Sequence, residues 1–142
     1  AQAIALATGR MGETWPNPAV GCVIVKDGRV VAQAATAPGG RPHAEEQAVP
    51  AAGADAAGST VYVTLEPCGA RSSGRKSCAH FLTEAGVARV VVACLDPSPF
   101  AAGGDGDQGA EARAQLVQLG VDGSGVGLDR VDRDGDVVKG RQ

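Results

Sequence analysis

The stretch TVYVTLEPCGARSSGRKSCAHFLTEAGVARVVVACLD, residues 60–96, decides the architecture. It opens with TVYVTLE, a near-continuous apolar run rich in β-branched residues, the pattern of a strand covered on both faces. SCAHFLTEAGV follows with helical spacing and Gly86 as a stop signal. ARVVVACLD then reads as another buried strand. Strand, helix and strand in succession are the unit of an α/β sheet.

Upstream, AVGCVIVK and RVVAQAA are β-branched runs joined by Asp27-Gly28, the strongest short hairpin signal. A helix over QAIALATGR, ending at Gly12, precedes them. TAPGGRP is a loop that delivers the chain to HAEEQAVPAAG, a helix that Pro50 should kink or shorten. Downstream, AAGGDGDQG is a loop and AEARAQLVQLG a short helix closed by Gly120. The polar, glycine-rich residues 121–142 hold at most one edge strand. The expected fold is therefore a three-layer α/β domain with a mixed sheet of about five strands flanked by helices.

At 142 residues the chain fits one domain. Hydrophobic residues make up 44% and aromatics 3%, so the core should be aliphatic. A net charge of −3 offers no extended basic footprint for nucleic-acid phosphates, which excludes a polynucleotide as the expected partner. No run approaches the roughly 20 apolar residues of a membrane span, and the N-terminus lacks a secretory pattern. The expected location is the cytoplasm, where Cys22, Cys68, Cys78 and Cys94 would stay reduced. That disfavours a disulfide and favours a metal or catalytic role.

PHAEE, LEPC and SC each put a metal-ligating side chain after a strand or loop and at a helix start, where ligands of open α/β sheets bind. His43, Cys68 and Cys78 would supply one imidazole and two thiolates, a set suited to Zn2+ with the fourth tetrahedral position left to water. Helix N-termini favour negative charge and so favour the thiolate forms. Residues two apart do not share a helix face, so Glu45 reaches the same site only if His43 sits at the cap and Glu45 in the first turn. Pro42 fits that arrangement. There a carboxylate could take a proton from metal-activated water and pass it to a leaving amine.

HAE followed by PC and a later cysteine resembles the zinc-dependent cytidine-deaminase superfamily, in which the glutamate is not a ligand. Nucleoside and tRNA-editing members place the second cysteine three positions on; here it comes ten positions on, across GARSSGRKS. With WPNPAVGCVIVKDGRVV and AGVARVVVACLDPSPFAAG, that longer loop resembles the deaminase domain of bifunctional riboflavin-biosynthesis proteins. The likeness covers residues 1–104, with 105–142 a divergent tail of the same domain and no reductase half expected.

The resemblance implies a cytidine-deaminase-like fold, His43, Cys68 and Cys78 as zinc ligands, and Glu45 as proton shuttle. It further implies Asn17, in PNP, as a substrate contact and the basic loop, with Arg71, Arg75 and Lys76, as the holder of a phosphate. The implied reaction is hydrolytic deamination of the diaminohydroxyphosphoribosylaminopyrimidine intermediate by zinc-hydroxide attack on the amine-bearing ring carbon. A homodimer or homotetramer is also implied.

Blander readings stand beside these. Cys22 and Cys94 fall in apolar runs and suit packing as small hydrophobes. His80 suits the surface, Glu46 a solvated or helix-orienting place, and Glu66 a local pairing. Trp15 suits a packing anchor, and Asn17 could simply satisfy turn backbone. The family often carries an aromatic-His pair and a further His where this chain has Ala35-Thr36 and Gly69-Ala70. A zinc deaminase of cytosine, cytidine or guanine type is thus the alternative, and a non-catalytic zinc-stabilised module the third reading.

Overall fold

The computed structural model describes residues 1–69 and 75–96, and the backbone of 117–122, 125–131 and 137–139. Three helices, α1 (Gln2–Thr8), α2 (Ala44–Ala52) and α3 (Cys78–Glu84), accompany seven strands. These are β1 (Gly21–Lys26), β2 (Arg29–Ala35), β3 (Thr60–Val63), β4 (Arg89–Val92), β5 (Val117–Asp122), β6 (Gly125–Val131) and β7 (Val137–Lys139). They form one mixed sheet in the order β2-β1-β3-β4-β5-β6-β7, parallel only between β3 and β4.

The hairpin forms where Asp27-Gly28 predicts it. Both residues have positive φ, 51° and 74°, as a two-residue turn between twisted strands requires, and Lys26 pairs with Arg29. From there the register sorts the side chains by face, because residues paired across strands share a side. Cys22 pairs with Val63, Ile24 with Val61, Val61 with Val90 and Val63 with Val92. These residues form one core cluster with Ala44, Ala48 and Ala52 of α2 and Leu82 of α3. Alanines at every fourth position give α2 a thin stripe that lets it lie close on β1 and β2. The core is aliphatic, as the composition implies.

The opposite face carries α1. A Cβ added to Gly21 would stand 1.9 Å from the Ala3 carbonyl oxygen, so only glycine lets α1 approach β1 this closely. The cover stops short of β3, however. Tyr62 points to this side and is 41% exposed, so β3 is buried on one face rather than both. Its apolar sequence mixes a true core pair, Val61 and Val63, with a tyrosine whose ring and hydroxyl tolerate water. β4 has Val90, Val91 and Val92 all buried, matching its expected burial.

Pro50 lies inside α2, which continues past it to Ala52 and fills nearly all of the HAEEQAVPAAG stretch, so the expected shortening does not occur. The C-terminal segment departs further from expectation. Residues 117–120, expected to finish a helix at Gly120, belong instead to β5, whose Gly120 pairs with Arg89 of β4. Three strands occupy the region expected to hold at most one, so the sheet has four strands in its body and seven in all, rather than about five. The unpaired edge of β4 supplies hydrogen-bond partners that local helical spacing in a short segment cannot outweigh. Glycines in β5 and β6 break the apolar alternation that would have signalled strands. Residues 110–116, the rest of the expected helix, lie outside the described residues.

Candidate metal centre

The N-termini of α2 and α3 and the loop after β3 meet at one place. The ligand atoms of His43, Cys68 and Cys78 all lie within 4.8 Å of one another. His43 Nδ1 is 3.4 Å from Cys78 Sγ. None of the four cysteines is joined in a disulfide, which removes that alternative.

Each ligand is delivered by local chemistry. His43 is the N-cap residue of α2, with extended backbone (φ −66°, ψ 163°), and Glu45 occupies the first turn, the one arrangement that lets both serve a single site. The Glu46 carboxylate accepts the His43 backbone N–H at 2.7 Å, so Glu46 orients the helix start. Cys78 opens α3 behind Ser77, whose hydroxyl accepts the His80 N–H at 3.1 Å. The two cysteines are tied together by backbone: Cys78 N–H donates to Cys68 Sγ at 3.2 Å, and Ala79 N–H to the Cys68 carbonyl at 3.2 Å. An N–H aimed at sulfur favours the thiolate a metal requires.

Glu45 is 3% exposed. Burial pushes its carboxyl above the ordinary carboxylate range, against the opposing pull of its own backbone amide, His43 and Cys78; the Cys68 charge adds a smaller upward push. The same burial drives the Cys22 thiol well up, aided by the Glu45 charge, so Cys22 packs as a neutral core residue. One nitrogen and two sulfurs at this separation, with a buried carboxyl beside them, fit a zinc ion with an open position.

The expected substrate contacts are less uniform. Asn17 Nδ2 donates to the Gly40 carbonyl at 2.7 Å, and Asn17 also exchanges bonds with Thr14 (N–H to Thr14 O 2.9 Å; Thr14 Oγ1 to Asn17 O 2.8 Å). Its amide therefore braces the loop before His43. Gly40 has φ 86°, and a Cβ there would meet Thr14 O at 2.4 Å and Asn17 Nδ2 at 2.8 Å. Arg75 is exposed. Lys76 is engaged by Glu84, at 3.0 and 2.8 Å to its two oxygens. Arg71 lies outside the described residues.

Other expectations divide. His80 is a surface residue 3.6 Å from Glu84, and Glu66 accepts the Asp96 N–H at 3.2 Å, a local pairing. Cys94 is exposed rather than packed, because it falls just beyond the end of β4. Trp15 is 85% exposed and anchors no packing; the hydrogen bonds of Thr14 and Asn17 bend its loop along the surface. Sequence reasoning missed Thr36 and Gln47. The buried Thr36 hydroxyl takes the Val20 N–H at 2.9 Å and donates to Pro18 O at 3.2 Å, stitching the PNP loop to β2. A hydroxyl ending an apolar strand was its only signal.

Comparison with known proteins places this geometry in context. The family described as the cytidine and deoxycytidylate deaminase zinc-binding region matches residues 1–94. Riboflavin biosynthesis protein RibD of Aquifex aeolicus is 47% identical over 102 residues, 71% of this chain and 28% of the relative. RibD of Escherichia coli is 44% identical over 122 residues, 86% and 31%. Among solved structures, Acinetobacter baumannii RibD superposes with a TM-score of 0.67 at 49% identity, covering 72% of this chain and 28% of that one. The Thermotoga maritima diaminohydroxyphosphoribosylaminopyrimidine deaminase/5-amino-6-(5-phosphoribosylamino)uracil reductase gives 0.65 at 39%, covering 70% and 29%. The chain spans less than a third of the length of these relatives.

Proposed function

We propose that this chain, which belongs to the cytidine and deoxycytidylate deaminase zinc-binding family, is a zinc-dependent aminohydrolase that deaminates the phosphorylated pyrimidine intermediate of riboflavin biosynthesis. The observation that carries the reading is the meeting of His43, Cys68 and Cys78 beside the buried Glu45. Identities of 39–49% to RibD proteins, well above the level of a shared fold alone, support the substrate class.

His43, Cys68 and Cys78 would hold the metal. When bound, zinc supplies Lewis acidity that activates water for attack on the amine-bearing ring carbon. The chain's own groups do the rest. Glu45 accepts a proton from the attacking water and delivers it to the ring nitrogen, then takes a second proton from the hydroxyl added to the carbon and delivers it to the departing amine, so that ammonia leaves neutral. A carboxyl whose proton affinity is raised by burial takes a proton more readily, which suits the accepting half of that transfer. Asn17 would present its amide oxygen to the pyrimidine while its nitrogen stays on Gly40. Arg75, with Arg71 and Lys76, would hold the phosphate; Lys76 must first leave Glu84.

In this reading residues 1–142 form one deaminase domain, supported by the single sheet from β2 to β7. The protein would act in the cytoplasm as a homodimer or homotetramer. Among the described residues no helix is long and apolar enough to cross a membrane. A second reading, deamination of a different base or nucleoside, is favoured by Thr36, whose hydroxyl is engaged with Pro18 and Val20 where the family often presents a histidine.

Ammonia release from the diaminohydroxyphosphoribosylaminopyrimidine substrate tests the proposal directly. Activity on cytidine, cytosine or guanine without activity on that substrate would select the second reading. Glu45→Gln should lower kcat by about 10²–10⁴-fold with zinc retained. Unchanged turnover in that variant would remove Glu45 from the chemistry.

A further inference from the structure

Two of the three ligands brace one another, since Cys68 and Cys78 are joined by their own backbone bonds. His43 lies at the end of the chain that leaves β2 at Ala35 and runs through the turn Pro38–Gly40, a loop closed by the Ala37 N–H donating to the Pro42 carbonyl at 3.1 Å. Pro42, immediately before it, has no N–H, so Pro42 itself can be held only through its carbonyl oxygen. Gln47 adds a side-chain tether to that backbone bond. Its Nε2 lies 2.7 Å from Ala35 O, 3.2 Å from Pro42 O and 3.3 Å from His43 O. The shortest bond goes to the end of β2, while the other hydrogen faces the two oxygens flanking the His43 peptide.

The position explains the reach. Gln47 is the fourth residue of α2, and helical side chains lean toward the N-terminus, so an amide here folds back over the turn that enters the helix. A group that donates suits three carbonyls. A carboxylate of the same shape would confront them with acceptors, and a hydrocarbon would leave them without the link.

Resting on the zinc reading above, we propose that Gln47 is a positioning residue of the metal centre. Its amide locks the Pro42–His43 peptide to the end of β2 and so sets where the His43 imidazole stands relative to Cys68 and Cys78. Glu46 holds the N–H side of the same residue, so His43 is gripped from both ends.

Competition for zinc with a chromophoric chelator, on Gln47→Met and Gln47→Glu, tests this. Both keep the approximate size of glutamine and lack its donors. Zinc affinity should fall about 10–100-fold, the range for losing a group that orients a metal ligand. Gln47→Lys, which restores a donor, should recover part of it. Val87→Ala, a buried change away from the site, controls for stability: it should lower the thermal midpoint of the metal-free protein while binding zinc as the parent does. Zinc affinity in Gln47→Met equal to the parent's overturns the proposal, as does a loss no greater than that of Val87→Ala at equal loss of midpoint. Should Gln47→Met not fold, Gln47→Glu decides by the same criteria. A parent that takes up no zinc overturns the zinc reading itself, whereas a zinc-binding parent with unaffected Gln47 variants overturns only the role of Gln47.

Discussion

The two helix starts that meet at the site are built differently. The α3 start is held within its own neighbourhood: Ser77 caps the helix, and Cys68, ten residues back, is bonded to the amide of Cys78 and through its carbonyl to the amide of Ala79. The α2 start is held from a distance. Gln47 ties it to the end of β2, and the loop before it leans on residues 13–17 through Gly39 N–H to Glu13 O at 2.8 Å and Asn17 to Gly40. A ligand pair joined by a short loop can brace itself, whereas the third ligand must borrow its position from the sheet and from a second loop. Damage far along the chain should therefore be felt at His43 before it is felt at the cysteines.

Gly40→Ala should give the largest effect of the substitutions that probe this contrast. The added Cβ meets Thr14 O at 2.4 Å, and a positive φ is unfavourable for alanine, so about 1–3 kcal/mol of strain falls on the loop leading to His43. Zinc titration should show weakened binding together with a lowered thermal midpoint. Full affinity in this variant would mean that the α2 start does not depend on the PNP loop.

Ser77→Ala should act more mildly. Losing the cap costs about 1 kcal/mol of stability by denaturant titration. Zinc affinity should hold close to the parent's, because the bonds between Cys68 and the α3 amides remain. A loss of zinc as large as in Gly40→Ala would erase the distinction between the two helix starts.

Lys76→Ala should have the smallest effect, and one that depends on pH. The Lys76 ammonium holds the Glu84 carboxyl below its usual range, chiefly by hydrogen bonding and then by charge. Because the folded value is depressed, the stabilisation is present above the unfolded carboxylate value of about 4.3 and disappears as pH falls through the folded value. Parent and variant should thus differ slightly in thermal midpoint at neutral pH, converge in acid, and converge again at high salt because the pair is exposed. A difference that persists in acid would point to packing rather than charge.

Much of the site was legible before any coordinates. Donor types, their order and the rule that residues two apart cannot share a helix face led to His43 at a cap and Glu45 in the first turn, where both are found. Asp27-Gly28 announced its hairpin because φ above zero at both positions is a property of the turn itself. Less legible were residues whose roles depend on what lies opposite them. Trp15 reads as a core aromatic but stands exposed, and Cys94 reads as part of a buried strand that has already ended. Glycine-bearing β5 and β6 gave no alternation to detect, yet pair along β4 and each other.

Amino-acid order by itself determined the chemistry that neighbours in the chain can settle: caps, turns, strand runs, and a donor set of one imidazole and two thiols with a carboxyl nearby. Tertiary structure decided what passes between distant segments: that Gln47 reaches Ala35, that Lys76 faces Glu84, that α1 covers β1 but leaves Tyr62 open, and that the sheet has seven strands where about five were expected. The division follows from range. Local conformation is governed by bonds a few residues long, whereas burial and long-range partners exist only once the sheet has brought remote residues within a few ångströms.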